Sequence, residues 1–146
     1  MILIDRQGIA AMIPHAGTMC LLDGVLAWDA QSVRCVSHRY AAMDNPMRRA
    51  DGGLGAACGI EIAAQAMAVH GGLVAGRGAR PGHGYLASLR DVLLRVDVLD
   101  GVLGDLIVDA ERLMGDASGA SYRFTLARDG AALLSGRATV LFEGAA

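Results

Sequence analysis

The sequence predicts an α+β domain in which one long central helix is wrapped by a curved antiparallel sheet of about six strands. Three observations carry this. Residues 58–74, CGIEIAAQAMAVHGGLV, are apolar or small all round a helix, and such a helix belongs in an interior. Helices and strands are segregated along the chain rather than alternating, which is the order of α+β and not of a doubly wound fold. From Gly84 onward, strand-length runs follow one another, separated by glycine and aspartate turns.

Asp5 is placed to cap a short helix through about Met12, with Ile9, Met12 and Ile13 packing inward. Pro14 ends it, because proline cannot continue the hydrogen-bond ladder. The loop PHAGTM leads to two strand-like runs, 20–28 and 32–40, joined by a turn at Asp29-Ala30-Gln31. Residues 41–55 form a polar, glycine-containing loop of a length that usually serves function. After the helix comes a second glycine-rich break, AGRGARPGHG, and then strand runs within 84–99, 104–114, 120–130 and 131–142. Asp129-Gly130 suits a type I′ hairpin turn. The 146 residues contain no repeat and no linker, so residues 1–146 are expected to form one domain.

Composition excludes several function classes. A hydrophobic content of 53% is expected to place part of the apolar surface in a subunit interface. The net charge of −2 provides no footprint for nucleic acid. All thirteen basic residues are arginine, which excludes a Schiff-base lysine and a phosphate-loop lysine. Cys20, Cys35 and Cys58 form no CxxC pair and no metal pattern with the four histidines, so no metal and no cofactor are expected. They read as small buried hydrophobes in a reduced compartment. No charged-then-apolar leader is visible, and the expected location is cytoplasmic. Glu61, Gln65, His70 and the Gly71-Gly72 pair argue against reading the helix as a membrane span.

Glu61 is one of three glutamates, and it sits inside the apolar run. A carboxyl there is costly unless something satisfies or uses it, and apolar surroundings favour the protonated acid that a proton donor needs. At 100° per residue, Glu61 and Gln65 share one edge of the helix, flanked by Ala64, Ala68 and Gly72. That small-sided edge suits either a closely approaching helix or a slim ligand. His15, at the mouth of the PHAG loop, is the candidate base. His70 lies on the opposite side of the helix from Glu61, and His38 and His83 have no evident partner.

Two ordered motifs then point to a family. Residues 13–25, IPHAGTMCLLDGV, and residues 59–73, GIEIAAQAMAVHGGL, resemble segments of the 3-hydroxyacyl-[acyl carrier protein] dehydratases. The element order is similar to their hotdog fold, and the likeness spans nearly the whole chain. Asn45-Pro46-Met47-Arg48 followed by Gly59-Ile60-Glu61 is most similar to the short dehydratase-like proteins of aryl-polyene and related lipid pathways.

The resemblance implies that His15 removes the α-proton of a 3-hydroxyacyl thioester. It implies that Glu61, from a partner subunit, protonates the departing hydroxyl, leaving a trans-2-enoyl thioester and water. Gly55, Ala56, Gly59 and Gln65 are the candidate substrate-binding positions, since amides at a helix N-terminus can stabilise the thioester oxygen. Ala56 stands where the main family carries the glycine implicated in its oxyanion site, a departure from that pattern. The implied handle is acyl carrier protein or coenzyme A. The implied assembly is a homodimer, a dimer of dimers or a heterodimer. A hotdog thioesterase and a non-catalytic carrier-binding subunit remain as alternatives. Arg48, Arg49, Arg77 and Arg80 are weighed as carrier-protein contacts against ordinary surface charge.

Overall fold

A computed structural model describes residues 1–13, 17–76, 84–101 and 104–142. Asp5 caps helix α1 (Arg6–Ala10) as expected, its carboxylate accepting the Gly8 amide at 2.9 Å. Ile9 of α1 is fully buried. Ile4–Asp5 adds an unforeseen strand, β1, paired with β2 (Gly24–Trp28). Two residues carry too little pattern to announce a strand.

Strand β2 starts later than the apolar run suggests. Ahead of it, the backbone of 20–23 is bound largely by side chains. Leu21 offers its carbonyl to Ser37 Oγ at 2.6 Å and its amide to the carboxamide of Gln65 at 2.9 Å. Strand β3 (Ser32–Ser37) likewise stops short, in a 3₁₀ turn at Arg39–Ala41. Asp23 accepts the amides of His38 and Arg39 at the head of that turn, at 2.7 and 2.9 Å. The turn between β2 and β3 is the expected one, with Asp29 Oδ1 accepting from Gln31 and Ser32.

The long helix α2 is Cys58–Ala75, one residue longer than the sequence suggests. Strands β4 (Gly84–Leu94), β5 (Leu106–Gly115), β6 (Gly119–Arg128) and β7 (Ala131–Phe142) complete one antiparallel sheet, ordered β1-β2-β3-β5-β6-β7-β4. Among the described residues the sheet has seven strands where about six were expected. Asp129 and Gly130 have φ of 51° and 79°, the two positive values that a type I′ turn requires.

Helix α2 lies against β3, β5 and β6. Ile62, Ala63, Ala66, Met67 and Val69 join Cys35, Val108, Phe124 and Leu126 in one buried cluster. The outer sheet face is polar: Arg34 pairs with Asp109 at 2.8 Å and Arg137 with Asp91 at 2.5 Å.

Strand β4 is the exception in this packing. It crosses to the far edge of the sheet, beyond β7, and every one of its residues is exposed. Leu86, Leu89 and Leu94 are paired with Val140, Ala138 and Leu134, so they face the helix side of the sheet. Helix α2 does not reach far enough to cover them.

Candidate functional site

Helix α2 buries one side and opens the other. Gly59, Ile62, Ala63, Gln65, Ala66, Met67, Val69 and His70 are buried. Glu61, Ala64, Ala68 and Gly71 are half-buried, while Ala57 and Ala75 are exposed. At 100° per residue these last six fall within one narrow stripe. Glu61 therefore lies on the open, small-sided edge, in the first turn of the helix. An N-terminal turn favours negative charge on a developing oxyanion.

The approach to that turn is tightly fastened. Arg48, on the loop before the helix, donates to the carbonyls of Ala42, Gly52 and Ala41 at 3.0, 2.8 and 2.7 Å. It also pairs with Asp100 at 2.5 Å, and this guanidinium holds the Asp100 carboxyl below its ordinary range. Arg48 is thus an internal strap, used inside the fold rather than offered to a carrier protein. Asn45 is buried, donating to the Tyr40 carbonyl and accepting from the Met47 amide. The Asn-Pro-x-Arg motif is the fastening of this loop.

Residues 97–100 close the same loop from the other side. Ala56 donates its amide to the Asp97 carbonyl, and Leu99 donates to Leu54, both at 2.9 Å. Arg128 is buried and donates to the Leu99 carbonyl at 2.5 Å and to Tyr40 Oη at 3.2 Å. The Tyr40 hydroxyl in turn donates to the Gly104 carbonyl. Sequence reasoning passed over Tyr40 and Arg128. Their partners are backbone carbonyls 64 and 29 residues distant, which leave no local pattern to read.

The four candidate substrate positions take different parts. The Ala56 amide is already engaged by Asp97. Gly59 donates to the Ala56 carbonyl at 3.0 Å and is buried against Leu134 and Leu126. Gly55 has open space where a side chain would stand. Among the described residues, the amides of Gly55 and Ala57 have no acceptor. These two, rather than Ala56 and Gly59, are the amides left open to an incoming acceptor.

Gln65 is fully buried, and its carboxamide grips backbone. Nε2 donates to the Met19 carbonyl at 2.7 Å, and Oε1 accepts from the Leu21 amide at 2.9 Å. Arg6 of α1 reaches the same segment, donating to the carbonyls of Gly17 and Cys20 at 2.8 and 3.0 Å. His15 lies outside the described residues, as do Arg77, Arg80 and His83. The segment that follows His15 is thus bound to α2 one turn beyond Glu61. On the far side of the helix, His70 packs edge-on to Tyr122 with ring centroids 5.5 Å apart. The cysteines are unpaired with one another, and burial pushes the Cys35 thiol up to about 12.

A family model described as ApeP dehydratase, ApeP-like, matches residues 7–143. Among solved structures, the dehydratase heterocomplex ApeI:P from Xenorhabdus doucetiae superposes with a TM-score of 0.83 at 24% identity, covering 93% of this chain and 91% of that one. AziG from S. sahachiroi superposes at 0.63, with 11% identity over 90% and 97% of the two chains. A thioesterase variant from Pseudomonas aeruginosa does so at 0.59, with 13% identity over 83% and 80%. At these identities the structures establish the hotdog fold. No protein of curated function matches the chain by sequence.

Proposed function

Because the chain belongs to the ApeP-like dehydratase family, we propose that it takes part in dehydrating a 3-hydroxyacyl thioester to the trans-2-enoyl thioester in the cytoplasm. The observation that carries this reading is Glu61 on the open, small-sided stripe of an apolar helix. His15 takes the α-proton, and charge moves onto the thioester oxygen. The amides of Gly55 and Ala57 receive that charge. Glu61 then donates its proton to the hydroxyl as the carbon–oxygen bond breaks, and water leaves. Proton return from His15 to Glu61 resets the pair. The handle is acyl carrier protein or coenzyme A.

The site is incomplete in one chain. The stripe beside Glu61 is open, and the apolar inner face of β4 is uncovered. Among the described residues β4 is the last strand of the sheet, and a long exposed edge strand invites another strand. The proposed partner is a second hotdog subunit that pairs along β4 and closes the site. It is either another copy or a companion of the ApeI kind, since the Xenorhabdus relative is a heterocomplex.

The test is turnover of a 3-hydroxyacyl thioester by the protein alone and with such a companion. Enoyl product is expected to form, and His15→Ala and Glu61→Gln are each expected to abolish it in folded protein. Near-wild-type turnover in either variant would refute the catalytic pair. Release of free thiol without enoyl product would establish the thioesterase alternative instead.

A further inference from the structure

We infer that Gln65 and Arg6 are positioning residues, which hold from two different helices the backbone of residues 17–21 that follows His15. The inference rests on the catalytic reading of His15 and Glu61 given above. Side chains bind a backbone group at four of the five residues from Gly17 to Leu21. Arg6 takes the carbonyls of Gly17 and Cys20, and Gln65 takes the Met19 carbonyl and the Leu21 amide. Ser37 adds the Leu21 carbonyl. The sheet cannot do this work there, because β2 begins only at Gly24. A single 3₁₀ turn, Gly17–Met19, is the segment's only regular structure.

The choice of side chain at position 65 follows from the task. Its two backbone partners are one acceptor and one donor. A carboxamide presents one donor and one acceptor in a fixed plane; an ionised acid lacks the donor, and leucine lacks both. Gln65 is on the same rigid helix as Glu61, one turn further on. The backbone of residues 19–21 is thereby referenced to its own helix, whichever chain supplies the carboxylate to a given site. The reaction needs this, since base and acid act on adjacent carbons, and a displacement of about 1 Å can cost on the order of a hundredfold in rate.

The experiment compares wild type with Gln65→Leu, Arg6→Ala and Arg6→Lys, each with its companion subunit where turnover needs one. The readouts are the imidazole resonances of His15 against those of His38, with kcat and KM for a carrier-linked 3-hydroxyacyl thioester. In Gln65→Leu and Arg6→Ala, the His15 signals should shift and broaden while those of His38 hold. Their kcat should fall on the order of tenfold to a hundredfold with KM little changed. Arg6→Lys should recover most of the loss, because an ammonium still reaches one carbonyl. Unchanged His15 signals in folded Gln65→Leu and Arg6→Ala protein would overturn the inference, as would undiminished kcat. Should Gln65→Leu fail to fold, the Arg6 pair decides, because Arg6 is only half-buried. A wild type without dehydratase turnover would refute the functional reading alone, and the His15 signals would still decide the positioning.

Discussion

His70 Nε2 lies 2.9 Å from the Asp29 carbonyl, and its Nδ1 lies 2.8 Å from Tyr122 Oη. A carbonyl only accepts, so Nε2 carries a proton, and in the neutral ring Nδ1 accepts from the tyrosine hydroxyl. Burial, above all, lowers the His70 pKa from 6.5; the hydrogen bond to Asp29 opposes this, and the Arg112 charge adds to it.

The sign for stability follows. The unfolded chain takes up this proton first as pH falls through 6.5, so stability falls with it and is fully present above that value. Thermal unfolding of wild type should weaken from about pH 6.5 downward, and His70→Gln should show a shallower slope. An identical slope in the variant would show that His70 contributes nothing to it.

Two glycines beside the helix start should answer differently to a side chain. A Cβ on Gly59 would stand 2.7 Å from Leu134 Cδ2 and 3.2 Å from Leu126 Cδ2, between two fully buried leucines. Gly59→Val should lose about 1–3 kcal/mol in denaturant unfolding. Gly55 meets nothing within 4 Å, so Gly55→Ala should leave stability nearly unchanged. It should raise KM if the thioester sits there. Equal destabilisation by both would contradict the packing described.

The Arg48–Asp100 strap should appear in the acid limb of stability. Arg48 depresses the Asp100 pKa, chiefly through its hydrogen bond. Stability from this pair is present above the unfolded value near 3.8 and is lost as pH falls through the lower folded value. Asp100→Asn should be less stable at pH 7 and nearly equal to wild type at strongly acid pH. Arg48→Met also leaves two part-buried carbonyls without their donor, and should lose about 1–3 kcal/mol when chemical unfolding is measured at pH 7.

Strand β4 should report on assembly. Leu89→Arg or Leu94→Arg places a charge on the apolar face left uncovered in one chain. Light scattering after size exclusion should show the assembled mass falling to that of a monomer, with turnover lost together with it. A variant that kept both its mass and its activity would place the interface elsewhere.

Local signals in the sequence determined most of the architecture. Continuous apolarity marked α2 for the interior, Asp5 marked the first cap, and Asp129-Gly130 marked the last hairpin. Each of these signals lies within a few residues of what it specifies. The sheet order, the strap by Arg48 and the buried Arg128 were decided by tertiary structure, because their partners are distant backbone groups that carry no side-chain signature. Gln65 shows the division most plainly. Sequence placed it on the same edge as Glu61 and suggested a substrate contact; the fold instead turned both ends of its carboxamide onto Met19 and Leu21. Helical periodicity fixes the direction of a side chain from its axis. What lies in that direction depends on how a loop more than 40 residues earlier in the chain is packed.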